Sequence, residues 1–423
     1  MVTAIILALL AAAPAVELAL QPDPPVAGHV LAIEITQGQA VSELHLSGPL
    51  ASWQRRLEST AGEAVELVLP DDLPVLLIGA PEGSGNELEF PHTLRLVHGE
   101  DGQPLPGALF WQGYLLGGFP APLAVEGADD AAALRATEAE LERDPEMLVA
   151  RELLWRLRAR SAADQEEFLN AIDAELAHST SGRLALAAIR MHRTLGDAEG
   201  AQALARRYSG FVEPILQLEG GRWAAIIGTT SPLERIELVH RWLDVDPFSD
   251  YVPQCLQILA ATYSEVGDHR STALFGLMSL RVSPDDAMTL NGVALAMAEG
   301  EFELERGLVL AGRAIDLLQD AGRFSRPPEL SESRWRREMV HARAACLDTR
   351  GWLLTKLRRW EEARDAFEAA IRLERSDEFY LHLGLMLIAR GSPEEARTAL
   401  RQGRRLGGSH RREIEEALAV LEP

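Results

Sequence analysis

Leu347-Asp-Thr-Arg-Gly-Trp-Leu-Leu-Thr-Lys-Leu-Arg-Arg-Trp-Glu-Glu-Ala-Arg-Asp-Ala-Phe-Glu-Ala-Ala-Ile371 is the stretch whose reading decides the fold. It reads as two helices joined by a turn at Arg358. Gly351 is the small residue where the helices cross, Leu354 fills the large position after it, and Ala363 on the second helix is expected to face Gly351 closely. Phe367 and Ala370 complete the large-small pattern. A small residue at such a crossing lets the two backbones approach, and a larger one would overpack the interface. The pattern returns 33 residues later, with Gly384, Leu387, Gly391, Ala396 and Leu400 in register and Leu383 beside them.

Working outward, turn points recur at Ser161, Gly196, Ser231, Gly267, Gly300, Arg358 and Gly391, at intervals of 35, 35, 36, 33, 58 and 33 residues. A period of about 34 residues is the signature of stacked helix pairs, a solenoid that offers a long surface to partners. The interval of 58 requires an insertion, placed at 319–341. Pro327 and Pro328 exclude regular helix from its first part. Its second part, Ser331 to Val340, is a good helix that lengthens the first helix of the next repeat. A last helix over 411–421 is expected to cap the exposed core edge.

The stretch around Gly351 resembles a tetratricopeptide repeat, as does the one around Gly384. The resemblance is firm over 250–406, where Tyr263, Gly267, Asn291, Ala294, Gly300 and Phe302 also fit, and looser over 130–249, where Gly220 and Gly221 fall inside an expected first helix. It implies a groove lined by the first helices, here Ala345, Asp348, Trp352, Thr355 and Lys356, then Glu378, Leu381, Leu385, Ile388 and Ala389. The basic clamp with which some family members hold a terminal carboxylate is not reproduced. This groove is apolar and mixed, suited to a helix or to another part of the same chain.

Residues 16–125 read differently. Runs at 16–20, 29–36, 42–47, 64–69, 75–78 and 92–97 place apolar residues mostly at every second position, between clusters of Gly, Pro and Asp. Period two with frequent turn signals predicts an antiparallel β-sandwich. It resembles an immunoglobulin-type domain in architecture, without a Cys-Trp-Cys core. After Gly127, Asp129 or Asp130 is expected to cap a helix running to about Arg143, from which the helical region extends over 129–423.

The chain has 423 residues and a net charge of -23. Residues 16–129 hold 16 Asp/Glu against Arg55, Arg56 and Arg95, or -13, leaving -10 for the rest. Such acidity argues against nucleic acid, whose phosphates need a basic face. Residues 1–15 carry an apolar run ending in Ala13-Pro14-Ala15, the form of a cleaved signal peptide, although no Lys or Arg precedes the run. The expected location is therefore periplasmic or secreted, with a cytoplasmic protein and an uncleaved N-terminus as the alternative. No later apolar stretch is long enough for a transmembrane helix. Cys255 and Cys346 occupy equivalent positions two repeats apart, too far for a disulfide, and are expected to be buried thiols.

Motifs for zinc proteases, phosphate-binding loops, nucleophile elbows and dinucleotide folds do not occur. Gly83-Ser-Gly85 reads as a turn, His92 and His98 as a solvated strand edge rather than metal ligands, and Asp71-Asp72, Asp129-Asp130 and Asp285-Asp286 as helix-boundary pairs. Arg404, Arg405, Arg411 and Arg412 read as helix-end cations. Arg334, Trp335, Arg336 and Arg337, with His341 and Arg343, admit two readings: a dock for an acidic partner, or a solvated helix face. The basic run also suggests an intramolecular contact with the acidic β-domain. The function expected is a non-catalytic protein-protein scaffold or assembly factor of the bacterial cell envelope, with no cofactor or metal, binding a protein or peptide through Trp352, Trp335, Asp348 and Lys356. Gly351, Ala363, Phe367, Gly384 and Ala396 are assigned to repeat packing. The alternative is an envelope enzyme or accessory subunit with its site in the β-domain.

Overall fold

The computed structural model describes residues 17–37, 43–51, 53–58, 64–79, 92–121, 125, 127, 129–319 and 326–421. Residues 1–15 and Gly83-Ser-Gly85 lie outside them. The chain parts into two compact units between Ser249 and Asp250.

Among the described residues, the first unit has seven strands: β1 (Glu17–Gln21), β2 (Val30–Gln37), β3 (Glu43–Ser47), β4 (Gln54–Glu58), β5 (Ala64–Val68), β6 (Val75–Gly79) and β7 (Thr93–Leu96). They form two antiparallel sheets, ordered β1-β2-β5 and β4-β3-β6-β7. Leu20, Leu31 and Ile33 of the first sheet meet Leu44, Leu46, Leu76 and Ile78 of the second in one buried core. Alternate residues face that core, as the pleat requires. β6 is the exception, with all five residues buried. Its second face is covered by helix α1 (Ala108–Leu116), which packs on β6 and β7. A strand covered on both sides reads as a continuous apolar run.

α1 is a helix inside the 16–125 stretch that reads as an all-β sandwich, and it corrects that reading. Gly113 lies inside the helix, where a Cβ would collide with Thr137 on α2 (Asp130–Arg143). The glycine thus permits a close helix crossing, which makes α1 and α2 one more helix pair ahead of the seven expected. The Glu140 carboxylate of α2, only 2% exposed, accepts from the backbone N–H groups of Gly107, Leu109 and Phe110 at 3.3, 3.0 and 3.2 Å. A carboxylate there satisfies orphan donors and faces the positive end of the α1 dipole.

β4 is a second element missed by the sequence reading. Its residues Gln54, Arg55 and Arg56 hide the alternation, yet Leu57 pairs with core residue Leu44. The solvated edge expected at His92 is also corrected. His92 is fully buried, 3.1 Å from His45 Nδ1 through its Nε2, and His45 reaches Gln54 Oε1 at 3.3 Å.

Six more helices complete this unit: α3 (Leu148–Ser161), α4 (Gln165–Leu176), α5 (Gly182–Thr194), α6 (Ala198–Arg207), α7 (Ser209–Gly228) and α8 (Pro232–Val245). α7 runs unbroken through Gly220 and Gly221. Arg190 of α5 sits among the carboxylates of Glu152, Glu219 and Asp246 at 3.5, 3.3 and 3.3 Å. These groups come from α3, α7 and the end of α8. Burial pushes the Glu152 carboxyl up, opposed by Arg156 and Arg190. Such a cluster fixes register more than it adds stability, because desolvation offsets much of the attraction.

The second unit is a tetratricopeptide-like solenoid of α9 (Val252–Glu265), α10 (His269–Val282), α11 (Ala287–Glu299), α12 (Leu304–Gln319), α13 (Glu332–Lys356), α14 (Trp360–Leu373), α15 (Asp377–Arg390), α16 (Pro393–Leu406) and α17 (Arg411–Val420). Each helix packs on the next, and α9, α11, α13, α15 and α17 also touch in succession, so the first helices form one layer. All seven expected turn points fall at the junctions inside helix pairs. Gly391 turns with φ +86°, and Arg358 takes the same left-handed conformation at φ +58° although it is not glycine. The insertion lengthens α13 to 25 residues, as expected. Cys255 and Cys346 are buried free thiols, pushed up to about 12 by burial.

Gly351 and Gly384 do mark close crossings. The side chain closing on Gly351 is Phe367, whose ring atoms lie 2.7 to 2.9 Å from where a Cβ would sit. Leu400 does the same at Gly384 from 2.5 Å. Ala363 and Ala396 are fully buried in the same core. A long helical side chain leans toward the helix N-terminus and covers the preceding turn, which brings Phe367 over the crossing.

Candidate functional site

The layer of first helices places Asp348, Trp352, Thr355 and Lys356 along one side of α13, at helical spacings of three and four. Across from them, α15 brings Glu378, His382, Leu385 and Ala389 at intervals that keep them on one face. Between the two helices lies a cavity of about 390 Å³, lined by Trp352, Thr355, Lys356, Arg358, Trp360, Leu385 and Ala389. Five of these seven are groove positions read from the sequence. Arg358 and Trp360 were missed as lining, because the turn and the start of α14 had been read only for their role in the fold.

The walls are chemically distinct. Lys356 Nζ lies 4.7 Å from the centre of the Trp352 ring and 2.8 Å from Glu301 Oε1. The hydrogen bond from Lys356 holds the Glu301 carboxyl below its usual range. Trp352 also stacks on His382, with ring centres 5.0 Å apart and planes at 18°. His382 Nδ1 is 2.7 Å from Asp348 Oδ2. Burial opposes a charge on His382, yet Asp348, with Glu378 and Glu299 adding to its field, outweighs it and raises the imidazole above its ordinary value. Asp348 is therefore placed otherwise than expected. It is 4% exposed and lies behind the Trp352 wall, not on the groove surface.

The basic run is not part of this cavity. Arg334, Trp335, Arg336 and Arg337 occupy the first turns of α13, 17 residues before Trp352 for the tryptophan, or about 25 Å along a helix. Arg334 lies 3.6 Å from Glu338, and Arg336 pairs with Glu332. Such exposed intrahelical pairs fit a solvated face. Arg404 and Arg405 lie in the last turn of α16, as helix-end cations should.

A second cavity of about 440 Å³ lies among α9, α10 and α11, lined by Ala260, Ala261, Gly292, Ala296, Met288 and Val293 among others. The signal for it was the small residues repeated on consecutive first helices.

The sequence matches no family model and no curated protein. Among solved structures it is similar to the Cut9-Hcn1 hetero-tetramer of the APC/C, at 14% identity and TM-score 0.34, over 75% of this chain and 56% of that one. Yeast Tom70 matches at 14% identity and TM-score 0.32, over 74% of this chain and 62% of Tom70. A tetratricopeptide repeat protein from Parabacteroides merdae ATCC 43184 matches at 12% and 0.31, over 74% and 97%. The chain thus spans 56% and 62% of the first two matched chains. At these scores the likeness is one of repeated helix pairs and extends to no activity or partner.

Proposed function

We propose that the protein is a non-catalytic interaction scaffold that holds a protein or peptide partner in the groove between α13 and α15. The observation carrying this reading is the cavity walled by two tryptophans and two aliphatic residues with cations at its rim. Trp352 and Trp360 offer a large apolar anchor site, and interface energy concentrates in such desolvated aromatic anchors. Arg358 favours a partner with a carboxylate beside its apolar anchor. We place the scaffold in the bacterial envelope, a setting supported by the signal-like residues 1–15.

The groove is tested with a photo-crosslinking residue at Trp360 in the full chain, in otherwise unaltered cells. A discrete adduct that disappears on Leu385→Glu supports the reading. Adducts of equal yield in both proteins refute it.

A further inference from the structure

Behind the Trp352 wall, three potential ligand groups converge. One donor atom each from Asp348, Glu378 and His382 lies within 4.8 Å of the others. Glu378 and His382 are four residues apart on α15, so they share a face, and Asp348 reaches them from α13. The second observation concerns Asp348 alone. Its Oδ2 meets His382, but its Oδ1 is buried with no hydrogen-bond partner, on a side chain that is 95% buried. A buried carboxylate oxygen without a donor is costly, and an ion is one of the few things that explains it. His382 supplies one cationic partner at most to a cluster of two carboxylates, and Lys356 is turned to Glu301 instead.

We propose that Asp348, Glu378 and His382 form a divalent-metal site, with zinc as its cation. One imidazole nitrogen and two carboxylate oxygens form a donor set that zinc accepts, with water completing a four-coordinate shell. Magnesium, which prefers all-oxygen octahedral surroundings, fits the imidazole poorly. Donors bound to zinc at about 2.0–2.2 Å stand roughly 3.3 Å apart, so the Asp348–His382 pair, at 2.7 Å, opens slightly on binding while Glu378 adjusts to the ion. The more exposed Glu378 is the side chain free to make that adjustment. Binding exchanges the proton shared by His382 and Asp348 for the metal, and the proton leaves to solvent. The site would join α13 to α15 directly beneath the groove.

The full chain, stripped with a chelator, is titrated with zinc chloride alone by calorimetry, and its unfolding midpoint is followed in parallel. One saturable equivalent with a raised midpoint is expected, and magnesium should give neither. Glu378→Gln leaves the Asp348–His382 pair in place, so it should fold with an unchanged metal-free midpoint while losing tenfold or more in zinc affinity. X-ray absorption should show one imidazole and oxygen ligands. The proposal is overturned if the stripped protein takes up no zinc, if Glu378→Gln binds as the wild type does, or if the zinc shell contains sulfur from Cys255 or Cys346.

Discussion

Replacing Gly351 with alanine should destabilise the protein, whereas the same replacement at Gly312 should stabilise it. Both glycines sit inside helices of the second unit, α13 and α12. Alanine is favoured over glycine in a helix interior by about 1 kcal/mol, so local propensity predicts a gain at each. At Gly312 nothing lies within 4 Å of an added Cβ, and the gain stands. At Gly351 three atoms of the Phe367 ring lie at 2.7, 2.8 and 2.9 Å, well inside ordinary contact. Phe367 is itself 0% exposed, so the ring cannot swing into solvent. Overpacking of this kind costs about 1–3 kcal/mol, which offsets the propensity gain and leaves a net loss of up to about 2 kcal/mol. Urea unfolding of the full chain, read by far-ultraviolet circular dichroism, gives the shift in midpoint for each variant. A Gly351→Ala protein at least as stable as the wild type would refute the reasoning that close approach, and not chance, keeps glycine at the crossing.

Two more outcomes can be measured on the same protein. Burial holds the His240 imidazole down to about 4, against an ordinary 6.5, so the folded state disfavours its proton. The associated stability is complete above pH 6.5 and is lost as pH falls through about 4, amounting to about 3 kcal/mol. His240→Gln should flatten that part of the stability profile, and an unchanged slope between pH 6.5 and 4 would contradict it. Arg358 turns at φ +58°, a conformation that costs a non-glycine residue about 1 kcal/mol. Arg358→Gly should therefore raise the unfolding midpoint while weakening capture at the groove, and a variant that loses both stability and capture would show that the arginine stabilises the turn itself.

The helical architecture was readable because each repeat carries local marks: a turn residue, a cap and a small residue at the crossing. Ser231 and Asp268 accept from the backbones of the helices they begin, which is why the junctions stood out. What stayed hidden depends on partners distant in sequence. Gly113 looks like any turn glycine until Thr137 is beside it, and β4 is visible only through its pairing with β3. His92 lies 47 residues from His45, and no pattern along one strand reveals that they meet. In the groove, the tetratricopeptide resemblance implied Trp352, Thr355, Lys356, Leu385 and Ala389, because the family's lining positions repeat from one first helix to the next. The burial of Asp348 did not follow from spacing, since it depends on how far Trp352 leans over His382.

The length of α13 has a consequence for any partner. Trp335 and Trp352 are carried by one unbroken helix. A continuous helix has no joint, so the start of the insertion and the groove keep a fixed separation and act as the two marks of a ruler. Along the axis that separation is about 25 Å, the reach of a 17-residue helix or of about eight extended residues. A ligand much shorter than that contacts one of the two tryptophans and not both.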